Sequence, residues 1–189
     1  MSAGQIAMMP PSVPLGTEPG LPVTHLEPFW YAVYTRANHE KRVGDQLGDR
    51  CVECFLPLYE CERRWKDRRV KLQTPLFPGY IFVRIALRDR LRVLQIPGVV
   101  HLVGFGGHPA HLPEEDIQAI QNSQSQGLQV EPHPYLRVGR RMQVTSGPLQ
   151  GLKGIIVRRK NRSRLVLSFD LLQRGVAIEM NAMDLQPTN

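Results

Sequence analysis

Thr74-Pro-Leu-Phe-Pro-Gly-Tyr-Ile-Phe-Val-Arg-Ile85 reads as a turn followed by a strand. Pro75, Pro78 and Gly79 supply the turn chemistry. From Tyr80 onward the residues are mostly aromatic and β-branched, the types that suit a pleated surface. Side chains alternate across a strand, so Tyr80, Phe82 and Arg84 share one face and Ile81, Val83 and Ile85 share the other. If the aliphatic face packs into the core, the aromatic face is left for a helix or a partner.

Working outward, Phe29-Trp-Tyr-Ala-Val-Tyr-Thr35 is a second β-prone run. Asn38 is placed to cap a helix over Glu40–Leu47, with Gly48 closing it. Val52–Tyr59 reads as one strand, and the charged Glu60–Lys71 as the exposed tip of a hairpin around Lys66-Asp67. Leu87–Gln95 suits a short helix with Leu91 and Leu94 on one face, broken by Ile96-Pro-Gly98. Val99–Val103 suits a strand and Gly104-Phe-Gly-Gly107 a turn. A further helix opens at Leu112–Asp116, with Pro113 in its first turn and three acids at its positive end. This alternation indicates an α+β sandwich over 28–123.

The flanks differ in composition. Residues 1–27 are rich in Pro and Gly and lack apolar periodicity, so a flexible tail is expected. Residues 124–134 read as a linker that lets two domains tumble independently. Beyond it, Arg141–Thr145, Lys153–Arg159, Arg164–Phe169 and Val176–Met180 are short strand-like runs separated by turn signals. Such spacing indicates a small β-barrel over 135–189.

The 189 residues carry a net charge of +7. Residues 127–189 hold ten basic and four acidic side chains, so most of the excess lies there. A basic domain favours polyanions. No run approaches the roughly 18 apolar residues of a membrane span, and the N-terminus lacks a secretory pattern. A cytoplasmic protein is expected. The three cysteines, Cys51, Cys54 and Cys61, include one CxxC without a second pair, so structural thiols are expected rather than a metal site.

Catalytic patterns are lacking. The sequence contains no GxSxG, P-loop, HExxH or GxGxxG. Scattered loop positions account for His101, His108 and His111, and a helix start accounts for Glu114, Glu115 and Asp116. An enzyme is therefore not expected, and neither a cofactor nor a metal is implied. Binding has more to work with. Arg36 precedes a helix on which His39 and Arg42, three apart, share a face, as a phosphate-contacting patch would. Arg63, Arg64, Arg68, Arg69 and Lys71 make a second basic cluster, with Glu60, Glu62 and Asp67 interleaved.

Trp30–Tyr34, Pro75–Val83, Gly98-Val-Val and a basic β segment, in this order, resemble the NusG family of bacterial transcription elongation factors. Val138–Val144 and Gly147–Ile156 are similar to its KOW motif, with Gly154 at the motif glycine. The resemblance spans Phe29 to Leu185. It implies an N-terminal domain with a four-stranded antiparallel sheet flanked by helices, and a C-terminal SH3-like barrel. It also implies a clamp onto RNA polymerase through an apolar patch that meets the coiled coil of the β′-type subunit. The matching positions are Tyr34, Phe77, Tyr80 and Phe82. Specialised members touch the non-template DNA strand at positions matching Arg36, His39 and Arg42. They also touch the β-subunit gate loop through a His and two Thr, which are not reproduced around Asp89-Arg90-Leu91-Arg92. In the family the barrel recruits termination factor Rho or a small-subunit ribosomal protein. The matching contact positions are Leu172, which stands where the family has an aromatic, and Arg174. The implied protein is a monomeric factor that suppresses pausing or termination, a specialised paralogue rather than the housekeeping factor. The alternative is a ribosome-associated KOW-type RNA-binding protein. Ile155, Ile156, Val157, Val166 and Val176 favour strands, so the barrel is expected to remain β rather than refold into helices.

Overall fold

The computed structural model describes residues 26–65, 68–137, 139–159 and 162–188. The Pro-rich tail up to residue 25 and the Lys66-Asp67 tip lie outside the described residues. The N-terminal half runs β1 (Phe29–Thr35), α1 (Glu40–Asp49), β2 (Glu53–Phe55), β3 (Leu58–Trp65), β4 (Arg68–Pro75), β5 (Tyr80–Ile85) and a 3-10 turn (Leu87–Asp89) into α2 (Arg90–Leu94). It continues with β6 (Val99–Leu102), β7 (Gly104–Phe105), β8 (His108–Pro109), β9 (His111–Leu112) and α3 (Glu114–Ser125). Its main sheet has the order β2-β5-β1-β6, with β9 added to β1, and every pairing is antiparallel. Strands β3 and β4 form a separate ribbon.

The C-terminal half contains β10 (Val130–Pro134), β11 (Arg141–Val144), β12 (Lys153–Arg159), β13 (Arg162–Phe169), β14 (Arg174–Met180) and β15 (Leu185–Pro187). They make one antiparallel sheet in the order β10-β14-β13-β12-β11-β15. Gly154 on β12 sits where a Cβ would lie 2.7 Å from the Val166 carbonyl and 2.9 Å from the Leu165 side chain. Only hydrogen fits between β12 and β13 at that point.

The central strands are buried on both sides, as alternation requires. Tyr31 and Val33 of β1 join Ile81, Val83 and Ile85 of β5 in a cluster under α1 and α2, with Val43, Leu47 and Val93. Trp30, Ala32 and Phe82 face the other way. They share a second cluster with Ile117 and Ile120 of α3 and with Leu165, Leu167, Phe169 and Leu172 of the C-terminal half. One continuous apolar cluster therefore spans both halves.

Several local expectations change. The helix N-cap is His39, while Asn38 takes a left-handed φ of 62°. α1 extends past Gly48 because Cys51 N–H bonds Gly48 O at 2.9 Å and Val52 N–H bonds Leu47 O at 3.0 Å. This Schellman closure puts the left-handed residue at Cys51 and packs Val52 on Leu47. The expected strand 52–59 is split at Pro57, whose missing N–H interrupts a ladder. The charged segment expected as a hairpin tip is mostly paired strand, β3 against β4. In the 87–95 helix Leu91 is 58% exposed and Val93 is buried. The 3-10 start, with fewer residues per turn, shifts the inward phase.

The segment read as a linker is not one in this structure. α3 runs to Ser125, and Val130–Pro134 forms β10, paired with β14. Pro132 and Pro134 are tolerated because β10 lies at a sheet edge. Only residues 126–129 lie between α3 and β10, and one apolar cluster draws residues from both halves.

Candidate functional site

The aromatic face of the N-terminal sheet is built at the end of β1. Tyr34 pairs in register with Tyr80, and their rings lie 5.4 Å apart. The Tyr34 ring also contacts His101 of β6 at 5.3 Å. Tyr34 is 39% exposed and Tyr80 half-buried. The turn that carries Tyr80 is tied down from two sides. Thr35 N–H bonds Gly79 O at 2.8 Å, and Gly79 N–H donates to the Glu40 carboxylate at 2.7 Å. Glu40 is buried in the first turn of α1, where a carboxylate also meets the helix dipole. Sequence reasoning missed this role, although an acid at the helix start beside a Pro-Gly turn is a readable signal.

Phe77 and Phe82 continue the same face, but they are covered. Their rings meet edge to face at 5.3 Å. Phe169 of β13 lies edge-on to Phe77 at 5.1 Å and stacks on Phe82 at 6.4 Å. Phe77 and Phe82 are at most 1% exposed. The C-terminal half thus occupies the surface that the resemblance assigns to a partner. Phe169 was not singled out from the sequence. Its alternation with Leu165 and Leu167 places it on the inward face of β13, which is the available signal.

The basic residues sit at the same end of β1. Arg36 follows Thr35, and its N–H bonds Gly98 O at 2.8 Å. His39 Nδ1 donates to the Ala37 carbonyl at 3.0 Å, which leaves Nε2 for other partners. Arg36 and Arg42 are exposed, and neither forms an ion pair among the described residues. Two exposed guanidiniums of this kind suit a polyanion.

Leu172 and Arg174 are separated by burial. Leu172 is 5% exposed within the cluster shared by both halves, whereas Arg174 is exposed at the start of β14. Gln173 between them takes a left-handed φ of 51°. Across this junction the α3 residue Asp116 approaches Asp170. Burial first, then Glu115, then Asp170, raise the Asp116 carboxyl to about 6. The Tyr135 hydroxyl donates to Asp170, which holds that acid in place.

Cys51 is exposed, whereas Cys54 and Cys61 are half-buried. Cys54 Sγ–H donates to Gly44 O at 3.8 Å, and Cys61 Sγ meets Thr74 Oγ1 at 3.2 Å. Burial, then Asp45 and Glu53, push the Cys54 thiol up, which disfavours the metal-binding thiolate. Among the described residues no group of three His, Cys, Asp or Glu could hold a metal ion. Among the described residues no helix is long and apolar enough to cross a membrane.

Comparison with known proteins shows what the chain is similar to. The sequence model of the family described as "Transcription termination factor nusG" matches residues 28–121. The transcription termination/antitermination protein NusG of Deinococcus radiodurans is 30% identical, over 67% of this chain and 81% of the relative. Its namesake from Rickettsia prowazekii is 28% identical, over 80% and 86%. Among solved structures, one described as "Domain interaction in Thermotoga maritima NusG" has the same fold. Its TM-score is 0.57 at 18% identity, covering 87% of this chain and 99% of that one.

Proposed function

We propose how this chain, which belongs to the NusG family and is a transcription elongation and antitermination factor, engages the transcription machinery. The N-terminal half, read as the NusG-type domain, grips the coiled coil of the polymerase β′-type subunit with Tyr34, Phe77, Tyr80 and Phe82. Tyr34 and Tyr80 make the first contact, because they are partly open to solvent. Phe77 and Phe82 follow once the C-terminal half leaves, and aromatic anchors of this kind carry much of an interface's affinity. Arg36, His39 and Arg42 then steer the non-template DNA strand. The C-terminal half, read as the KOW barrel, releases Leu172 beside Arg174 for Rho or a small-subunit ribosomal protein. The factor acts as a single copy by favouring the clamped, unpaused polymerase, which is a shift of populations rather than chemistry.

The observation that carries this reading is the burial of Phe77 and Phe82 against Phe169. Apolar side chains at the positions of the clamp-binding patch are held dry by the other half of the same chain. Affinity is then reduced by the fraction of molecules that are open. The test is binding of the full chain to elongation complexes, beside a Tyr34→Ala, Tyr80→Ala double variant. Removing two interface anchors is expected to weaken binding by roughly thirtyfold or more. Equal binding by the folded double variant would discard the assignment.

A further inference from the structure

We propose that the C-terminal half binds single-stranded RNA in a groove that Phe105 of the N-terminal half completes. The groove has a volume of about 800 Å3 and lies across the outer side of β11–β13. Tyr135, Arg137, Arg141 and Lys153 line it on the C-terminal side. Phe105 lines it from the β7–β8 hairpin, whose tight Gly106-Gly107 turn presents that ring to solvent at 70% exposure. None of these residues belongs to the aromatic face described above.

The chemistry of the lining selects the ligand. Arg137, Arg141 and Lys153 form no ion pair among the described residues. In contrast, Arg164 on the same sheet is neutralised by Glu131 and approaches Glu179 at 3.9 Å. The groove therefore gathers cations that the fold has left unpaired, which suits phosphates. The rings select for unpaired bases. The Arg137 guanidinium lies over the Tyr135 ring at 5.5 Å from its centre, and the Tyr135 hydroxyl is anchored on Asp170. That stack and Phe105 make two flat platforms, and a duplex would hide the base faces they need. An acidic peptide would use the cations but gains nothing from the platforms. The floor favours RNA over DNA. Ser168 spends its hydrogen on Leu136 O at 2.8 Å, so its lone pairs are left to accept from a 2′-hydroxyl. Asp170 is acceptor-only and repels a phosphate, but it too can accept from a 2′-hydroxyl.

Because Phe105 and the cations come from different halves, the groove is complete only while the halves are together. RNA bound there favours the arrangement in which Phe77 and Phe82 are covered, by linkage. The test uses the full chain and fluorescence anisotropy with labelled octauridylate. Octathymidylate, an eight-base-pair DNA duplex and hexaglutamate serve as competitors. Octauridylate is expected to bind tightest, with log affinity falling against log salt at a slope of about −2 for three phosphate contacts on a single strand. Phe105→Ala is expected to weaken binding by about tenfold without changing that slope. Arg141→Gln with Lys153→Gln is expected to flatten the slope by about 1.4. Unchanged binding by Phe105→Ala would overturn the two-sided groove, and Phe105 is too exposed for that variant to fail by unfolding. Equal competition by octathymidylate or by hexaglutamate would overturn the assignment to RNA. These variants leave Tyr34 and Tyr80 intact, so failure here is separable from failure of the polymerase reading.

Discussion

Phe169 of β13 presents its ring edge-on to Phe77, in the turn before β5, with centroids 5.1 Å apart and ring planes at 76°. This contact lies within the apolar cluster that joins the two halves, where Phe77 also packs on Phe82 and Phe169 on both. An aromatic pair in such geometry contributes about 0.5–1.5 kcal/mol beyond its buried area. Phe169→Leu keeps an apolar side chain but removes the edge-to-face contact. In the native chain, amides of residues 28–121 and 130–188 should report one rotational correlation time by 15N relaxation. In the variant the two values should diverge. Divergent values in the native chain would show that the halves are not held together in solution.

Asp116 makes the same junction sensitive to pH. Its carboxyl stands near 6 in the folded chain, against an ordinary value of 3.8, through burial first and then Glu115 and Asp170. The folded state therefore holds the proton more tightly than the unfolded state. The associated stability is complete below about pH 4, declines as pH rises, and is gone above about pH 6. Asp116→Asn should raise stability at pH 7 by up to about 3 kcal/mol, the equivalent of that difference. At pH 4 it should change little. Thermal melts across this range check the sign, and a gain that is equal at both pH values would refute it.

Gly98 sets the position of His39. It has a φ of +103°, and a Cβ there would lie 3.2 Å from Val43 Cγ2 and 3.3 Å from His39 Cβ. Both the backbone and the space therefore select glycine. Gly98→Ala should cost about 1–3 kcal/mol. The urea midpoint reads that loss, and an unchanged midpoint would contradict the geometry.

Arg36 and Arg42 are exposed and form no ion pair among the described residues. If both meet phosphates, Arg36→Gln with Arg42→Gln should flatten the salt dependence of single-stranded DNA binding by about 1.4 in slope. Binding that weakens without a change of slope would mean that neither arginine contacts a phosphate.

Much of the N-terminal half was legible. The alternation in β1 and β5 assigned each residue to a face without any knowledge of what lay opposite. The family resemblance named Tyr34, Phe77, Tyr80 and Phe82 as one patch; in the structure Tyr34 packs on Tyr80 and Phe77 on Phe82. The misreadings have physical causes. Leu91 was turned outward by a 3-10 start that helical spacing does not anticipate. Val130–Pro134 looked like linker because prolines disfavour strands, yet at a sheet edge their missing donors face no partner. Leu172 fitted a contact position, but it is buried in the apolar cluster that both halves share.

The sequence by itself determined the central strands β1 and β5, their two-sided character and the concentration of positive charge in the C-terminal third. These follow from period, residue type and counting, all of which are local. Only the tertiary structure decided what covers the aromatic face. Phe82 demands burial, but nothing near it in the chain says whether a helix, another protein or a distant strand will supply it. That choice is made by contacts between segments far apart in sequence, Phe77 and Phe82 with Phe169, and by the short connection from α3 to β10 that brings them into reach.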